Sequence, residues 1–250
     1  RKDGRLARIT AISGPGVYRS DRYPKGYAGA AFIPEPSANA VTCHWFEETE
    51  KGLGRGTHKL FPDKNFEKRE FLCSTDERFR PVSVYNGPDG CIYVLDMYRG
   101  ILQHKVYVTS FYLKPYILER KLEVPVGMGR IYRIVNKAEG RNKTQPRLQN
   151  ASVDKLVKTL SHPNGWWRDT AQRLLVERRD KKSIPALQKV INSAKNHLAK
   201  VHALWSLEGM DALDLATVSD GLKDEHEKVK MTSLVVSGRL RATPEQDKAI

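Results

Sequence analysis

Hydrophobic positions change their period along this chain. Up to about residue 136 they alternate in short runs, and from residue 151 they recur at spacings of three and four. The first pattern is that of strands and the second that of helices. Residues 81–85 alternate and are rich in Val and Tyr. Asn86, Gly87, Pro88, Asp89 and Gly90 form a dense turn signal, and 91–97 is a second β-prone run. With 129–135 as a further strand, this strand–turn–strand unit reads as a blade of a β-propeller. Upstream, 8–13 alternate and 14–21 are turn-rich. Residues 30–33 read as an apolar strand, Pro34 and Pro36 break it, and 39–46 resume as a strand pairing back. Residues 52–64 read as loop and 66–73 as a strand. Residues 104–123 read as an excursion between strands, with a short helix over 113–120.

Residues 137–150 carry almost nothing apolar except Ala138 and Leu148, which predicts a linker. Beyond it, Val153, Leu156, Val157 and Leu160 make a helical stripe. Helices are expected over 153–160, 166–177, 183–194, 197–207, 212–222 and 227–240. They form three pairs, and the second members (TAQRLLVE, VHALWSLE, KMTSLVVS) recur about every 30 residues. Such tandem pairs cannot bury their stripes alone, so they predict a stacked α-solenoid of the HEAT type. Ser152 and Ser183 are the expected N-caps of the first and third helices. The fold class is therefore mixed: an incomplete, all-β propeller part at 1–136, a linker at 137–150, and HEAT-like helical repeats at 151–250.

The chain has 250 residues, 40% hydrophobic and 29% charged, with net charge +14. Residues 1–150 hold 26 basic and 16 acidic side chains, and the remainder 17 and 13. The excess is scattered, and no aromatic-basic recognition motif accompanies it, which argues against nucleic acid as partner. No run of eighteen apolar residues occurs, so no membrane span is expected. The chain starts at Arg1 rather than Met, which reads as a fragment of a longer protein. Cys43, Cys73 and Cys91 lack metal-site spacing and read as buried free thiols. Cys43-His44 is not a haem-attachment motif, because position 40 is Ala. No metal ligands are nominated.

Several polar residues are candidates for chemistry. Arg78 and Arg80 stand two apart before a strand, a spacing that points both to one face as a clamp for an anion. The alternative is pairing with Asp76, Glu77 or Asp96. Asp96, Arg99 and His104 lie at or beyond a strand end, where propeller loops line a channel. His104 suits a general base, whereas Asp96 with Arg99 also reads as a brace. Glu35 and Asn39 flank the same mouth, or make its turn. Trp166 and Trp167 are read as packing between the propeller side and the first helical pair.

Several stretches together resemble a bacterial family, the PVC-type membrane-bound dehydrogenases. They are SGPGVYRSDRYP at 13–24, FIPEPSANAV at 32–41, FRPVSVYNGPDG at 79–90, YVLDMYRGILQH at 93–104, GMGRIYRIV at 127–135 and LSHPNGWWRDTAQRLLVER at 160–178. The resemblance implies a propeller similar to sugar dehydrogenases, then HEAT repeats, and in many members a c-type haem domain. The propeller is also similar to soluble glucose and sorbosone dehydrogenases that use pyrroloquinoline quinone. In those, an Arg-x-Arg before a Pro-Asp-Gly turn and a Tyr-Val-Leu strand contacts the quinone carboxylates. Arg78 and Arg80 stand at that place here, as the cofactor-binding pair. Pro81 stands where those enzymes have Asp, and Ser37 where they have a cofactor lysine.

Two functions follow as expectations. The first is a periplasmic or membrane-associated dehydrogenase oxidising a sugar or alcohol. Pyrroloquinoline quinone and calcium are its implied cofactors, and electrons pass to a haem c domain outside this chain. Asp96, Arg99, Glu35 and Asn39 line its channel, and the fragment alone is inactive. The second is a non-catalytic scaffold whose propeller and HEAT faces bind proteins or polysaccharide.

Overall fold

The alternating runs pair as antiparallel sheets, and the three- and four-spaced runs fold as helices. The computed structural model describes residues 11–49, 52–65 and 67–240. Contacts divide the chain into two units, Arg1–Lys143 and Thr144–Ile250.

In the first unit, β1 (Gly16–Val17), β2 (Ala31–Glu35), β3 (Ala40–Thr49) and β4 (Gly52–Lys59) pair in that order. β5 (Phe61–Asp63) pairs with β6 (Glu67–Arg69), and β7 (Leu72–Cys73) pairs with the first two residues of β3. A second sheet runs β10 (Arg130–Ile134), β9 (Ile92–Asp96), β8 (Pro81–Asn86). One core joins the two sheets. Phe32, Val41 and Cys43 come from the first, and Val84, Ile92 and Val94 from the second. Each such fully buried large side chain contributes about 1.5–3 kcal/mol.

Four expectations change here. Residues 52–64, read as loop for their glycines, form β4 and β5. Gly56 lies opposite Phe46, and a Cβ there would come within 2.8 Å of the ring. The ring covers the bare backbone, so glycine fits a strand. Residues 66–73 are two short strands bound to different partners, with Phe66 outside the described residues. The turn-rich 14–21 stretch holds β1 and ties the sheets together. Gly14 exchanges backbone hydrogen bonds with β8 (to Val82 O, 2.8 Å, and from Val84 N, 3.0 Å), while Gly16 and Val17 pair with β2. A Cβ on Gly16 would meet Val84 O at 2.6 Å, so close approach demands glycine. Of the expected strand at 8–13, residues 8–10 lie outside the described residues, and 11–13 form no strand.

Tyr18, 1% exposed, anchors the next loop. Its hydroxyl accepts from the N–H of Arg22 (2.9 Å) and of Tyr23 (3.0 Å) and donates to Gly90 O (2.9 Å). Tyr23 stacks on Tyr18 at 4.5 Å and donates its own hydroxyl to Ile134 O. Cys43 and Cys91 are buried free thiols, each pushed up to about 11, chiefly by burial. Cys73 is free but exposed, contrary to expectation, because its strand is an edge.

The expected excursion after β9 contains a 3-10 turn (Lys105–Tyr107) and α1 (Leu113–Glu119).

The second unit contains α2 (Val153–Thr159), α3 (Gly165–Arg178), α4 (Ser183–Ser193), α5 (His197–Gly209), α6 (Leu215–Leu222) and α7 (Glu227–Ser237). They pack as successive pairs, α2 on α3, α4 on α5 and α6 on α7. The first members touch one another along one layer and the second members along the other. Leu156, Leu160, Leu187, Leu204 and Leu207 are buried between the layers. Ser152 caps α2, accepting from Lys155 N at 3.3 Å. Ser183 is not a cap. It is the first residue of α4, and its hydroxyl donates to Asp180 O at 2.7 Å. Trp167 is buried in this unit's own core and stacks on His162, and Trp166 packs against the same core.

Candidate functional site

The candidate residues gather around the N-terminal end of β8 and the C-terminal end of β9. β8 begins only at Pro81, so Arg78 and Arg80 lie ahead of the strand, and their side chains part. Arg78 donates from Nε to Val124 O (3.0 Å) and from Nη2 to Arg120 O (3.1 Å) and Lys121 O (2.9 Å). Arg80 donates from Nε to Arg99 O (2.8 Å), from Nη1 to Pro36 O (2.7 Å) and from Nη2 to Gly100 O (2.9 Å). Both forks thus bind backbone carbonyls, which neutralise no charge but fix loop geometry. Burial pulls the Arg80 pKa below its ordinary value, against the pull of Glu77, Asp96 and Asp76.

Asp96 is 3% exposed. Its Oδ1 accepts from the backbone N–H of Arg80 (2.7 Å) and of Tyr98 (2.8 Å). Its Oδ2 is buried without a hydrogen-bond partner. The turn it holds puts Tyr98 at φ 50°, a left-handed conformation unusual for a bulky residue. The Arg130 guanidinium covers the Tyr98 ring at 3.6 Å. Arg99 is exposed and lines a cleft of about 400 Å³ with Met97, Ile101, Leu102 and Gly127.

Asn39 closes the other side. It sits at φ 53°, and its Nδ2 donates to Phe79 O at 2.6 Å, tying the β2–β3 turn to the segment before β8. Glu35 is 1% exposed, and its Oε2 has no partner. Burial raises its pKa, the Ala11 N–H lowers it, and Glu70 raises it further. His104 is exposed at the start of the 3-10 turn, where its Nδ1 accepts from Val106 N at 3.5 Å.

The structure thus brings together Arg80, Asp96, the Arg99 backbone, Asn39 and the carbonyl following Glu35. Arg78 is directed instead to the α1 side. There Glu77 accepts from Tyr116 OH (2.7 Å) and from Arg120 Nη1 (2.6 Å). Sequence reasoning missed Glu77 as a docking residue, since its partners lie some forty residues on and nothing local signals them. It also missed His44 and His58. They face each other across β3 and β4 with ring centroids 4.8 Å apart, and His58 Nε2 meets Glu70 Oε2 at 2.8 Å. That pairing needed the register of β4, a strand read as loop.

Whether this corner fits the cofactors that the resemblance implies is a question of donors. A quinone carboxylate clamp needs guanidinium N–H groups directed at a ligand. Here the Nε and Nη2 of both arginines are directed at the chain's own carbonyls, so the arrangement does not fit it. Calcium takes six to eight oxygens. Among the described residues no group of three or more His, Cys, Asp or Glu side chains is placed to hold a metal ion.

A family model described as Domain of unknown function (DUF7133) matches residues 1–138, over half of the chain. No curated protein and no solved structure matches the sequence.

Proposed function

The chain belongs to that family, whose description assigns no activity, and we propose on physical grounds that it is a binding scaffold. In this reading the sheet unit is a set of propeller blades, and the helical unit a short HEAT-type solenoid. Each offers a face to a protein or polysaccharide partner, and neither catalyses a reaction. The observation that carries it is the commitment of Arg78 and Arg80 to six backbone carbonyls. Freeing either fork for a ligand costs those hydrogen bonds, each worth about 1.5–3 kcal/mol when the donor is charged. The repeated layers of the helical unit add extended faces of the kind that solenoids use for partners.

A second reading is quinone-dependent oxidation of a sugar or alcohol in a periplasmic or membrane-associated protein, with electrons leaving to a haem domain outside this chain. The buried, unpartnered Asp96 Oδ2 favours it, since such an atom is costly to keep without a function.

Calorimetric titration of the purified protein with pyrroloquinoline quinone, with and without calcium, separates the two. The scaffold reading expects no heat of binding. Saturable binding that Arg80→Ala abolishes would establish the second reading instead.

A further inference from the structure

The helical unit has two clefts along one edge, and their charges differ. The first lies between α2 and α4 and has a volume of about 780 Å³. The second lies between the α4–α5 and α6–α7 turns, measures about 830 Å³, and shares Ala194 with the first.

The second cleft neutralises itself. Lys200 Nζ is 2.5 Å from Asp224 Oδ2, and both side chains are largely buried. Asp220 and Glu225 stand beside Lys195 and Lys223. In the first cleft, Lys155, Lys158 and Lys189 face a lining whose only carboxylate is Asp154. No ion pair engages those three ammonium groups among the described residues. Val157, Ala186 and Val190 give the lining an apolar part, beside Thr159, Ser161, His162 and Ser193.

Three lysines against one carboxylate, around a partly apolar trough, state what would fit. A small inorganic anion would use the cations and leave the trough wet. An uncharged apolar segment would fill the trough and leave the lysines idle. Charge complementarity with apolar burial is the pattern of a peptide interface. We propose that the α2–α4 cleft binds an acidic peptide segment carrying apolar side chains. Its carboxylates meet Lys155, Lys158 and Lys189, and an apolar side chain packs on Val157 and Val190. This assignment rests on the scaffold reading and gives it a partner class and a place.

The test is fluorescence anisotropy on the purified protein with a labelled peptide of alternating Glu and Leu. The same peptide with Gln for Glu, and a labelled single-stranded oligonucleotide, run in parallel. The Glu-Leu peptide binds, its affinity falls with added salt, and the Gln form binds at least about tenfold more weakly. The variant Lys155→Glu/Lys158→Glu/Lys189→Glu loses about tenfold or more, whereas Lys195→Glu/Lys223→Glu in the second cleft loses less than about twofold. All five positions are exposed, so circular dichroism is expected to match wild type. Equal losses in the two variants, no loss in the first, or no binding by the Glu-Leu peptide overturns the assignment. Tighter binding of the oligonucleotide that the first variant abolishes overturns it in favour of nucleic acid. None of these outcomes bears on quinone binding, so the scaffold reading stands or falls separately by the calorimetric titration.

Discussion

Asp96 Oδ1 accepts two backbone N–H groups, from Arg80 at 2.7 Å and from Tyr98 at 2.8 Å. One oxygen thereby joins the segment entering β8 to the turn leaving β9. The other oxygen is buried without a partner. Asp96→Asn keeps an accepting oxygen for both N–H groups and removes a buried charge. It is expected to change stability by less than about 1 kcal/mol. Asp96→Ala strands both N–H groups and costs about 2–4 kcal/mol. Urea denaturation of both variants checks this. Equal losses in the two would show that the carboxylate's charge, not its accepting oxygen, holds the corner.

Tyr18 gives a second expectation. Its hydroxyl makes three hydrogen bonds to backbone in a buried site. Tyr18→Phe keeps the ring and its stack on Tyr23 while losing all three. The expected cost is about 2–3 kcal/mol, read as a lower urea midpoint with an unchanged slope. A midpoint equal to wild type would mean that the ring alone anchors the loop.

The sequence made much of this fold legible. The change of period at about residue 150 located the helices closely, because stripes such as Leu156, Val157 and Leu160 are local signals. What it hid was non-local. Gly52–Lys59 forms a strand because β3 offers a long arm, and the Phe46 ring shields Gly56. The Gly14–Gly16 stretch reads as a turn, yet those glycines admit the neighbouring backbone of β8. At the site, the spacing of Arg78 and Arg80 suggested a shared face. Their divergence follows from β8 starting after both, and from carbonyls at Pro36, Gly100 and Lys121 that no spacing rule locates.

A pH dependence follows from the histidine pair. Burial first, and then His58 beside it, hold the His44 pKa below its ordinary value, while Glu70 works the other way. The folded state therefore resists protonation of His44. Its contribution is intact above the unfolded value of about 6.5 and is lost as pH falls through that value toward the folded pKa. The raised Glu35 carboxyl has the opposite sign: its contribution is fully present below its unfolded value and is lost as pH rises through the folded pKa. Between pH 7.5 and 5.5 the urea midpoint is thus expected to fall, and in His44→Gln to fall less. The same pH response in both proteins would contradict this assignment.

In the helical unit, Arg168 is 3% exposed and holds the chain before α3. Its Nη1 donates to His162 O (2.6 Å) and Pro163 O (2.8 Å), and its Nε donates to His202 Nε2 (3.3 Å). A guanidinium only donates, so His202 Nε2 must accept, and its protonated Nδ1 donates to Gln172 at 2.6 Å. Arg168→Ala leaves two carbonyls and this histidine wanting donors, at a cost of about 2–4 kcal/mol. Arg168→Lys keeps the charge but not the fork, and is expected to recover less than half of the loss. Full recovery by lysine would show that charge alone matters there.

The central claim is that Arg80 ties the fold together and does not hold a ligand. Differential scanning calorimetry of Arg80→Ala beside the wild-type protein tests it most directly. The substitution removes hydrogen bonds to Pro36, Arg99 and Gly100. It is expected to lower the melting temperature of the transition that includes the sheet unit by about 5 °C or more. A melting temperature within about 1 °C of wild type would contradict the claim and return Arg80 to the role of a ligand-binding residue.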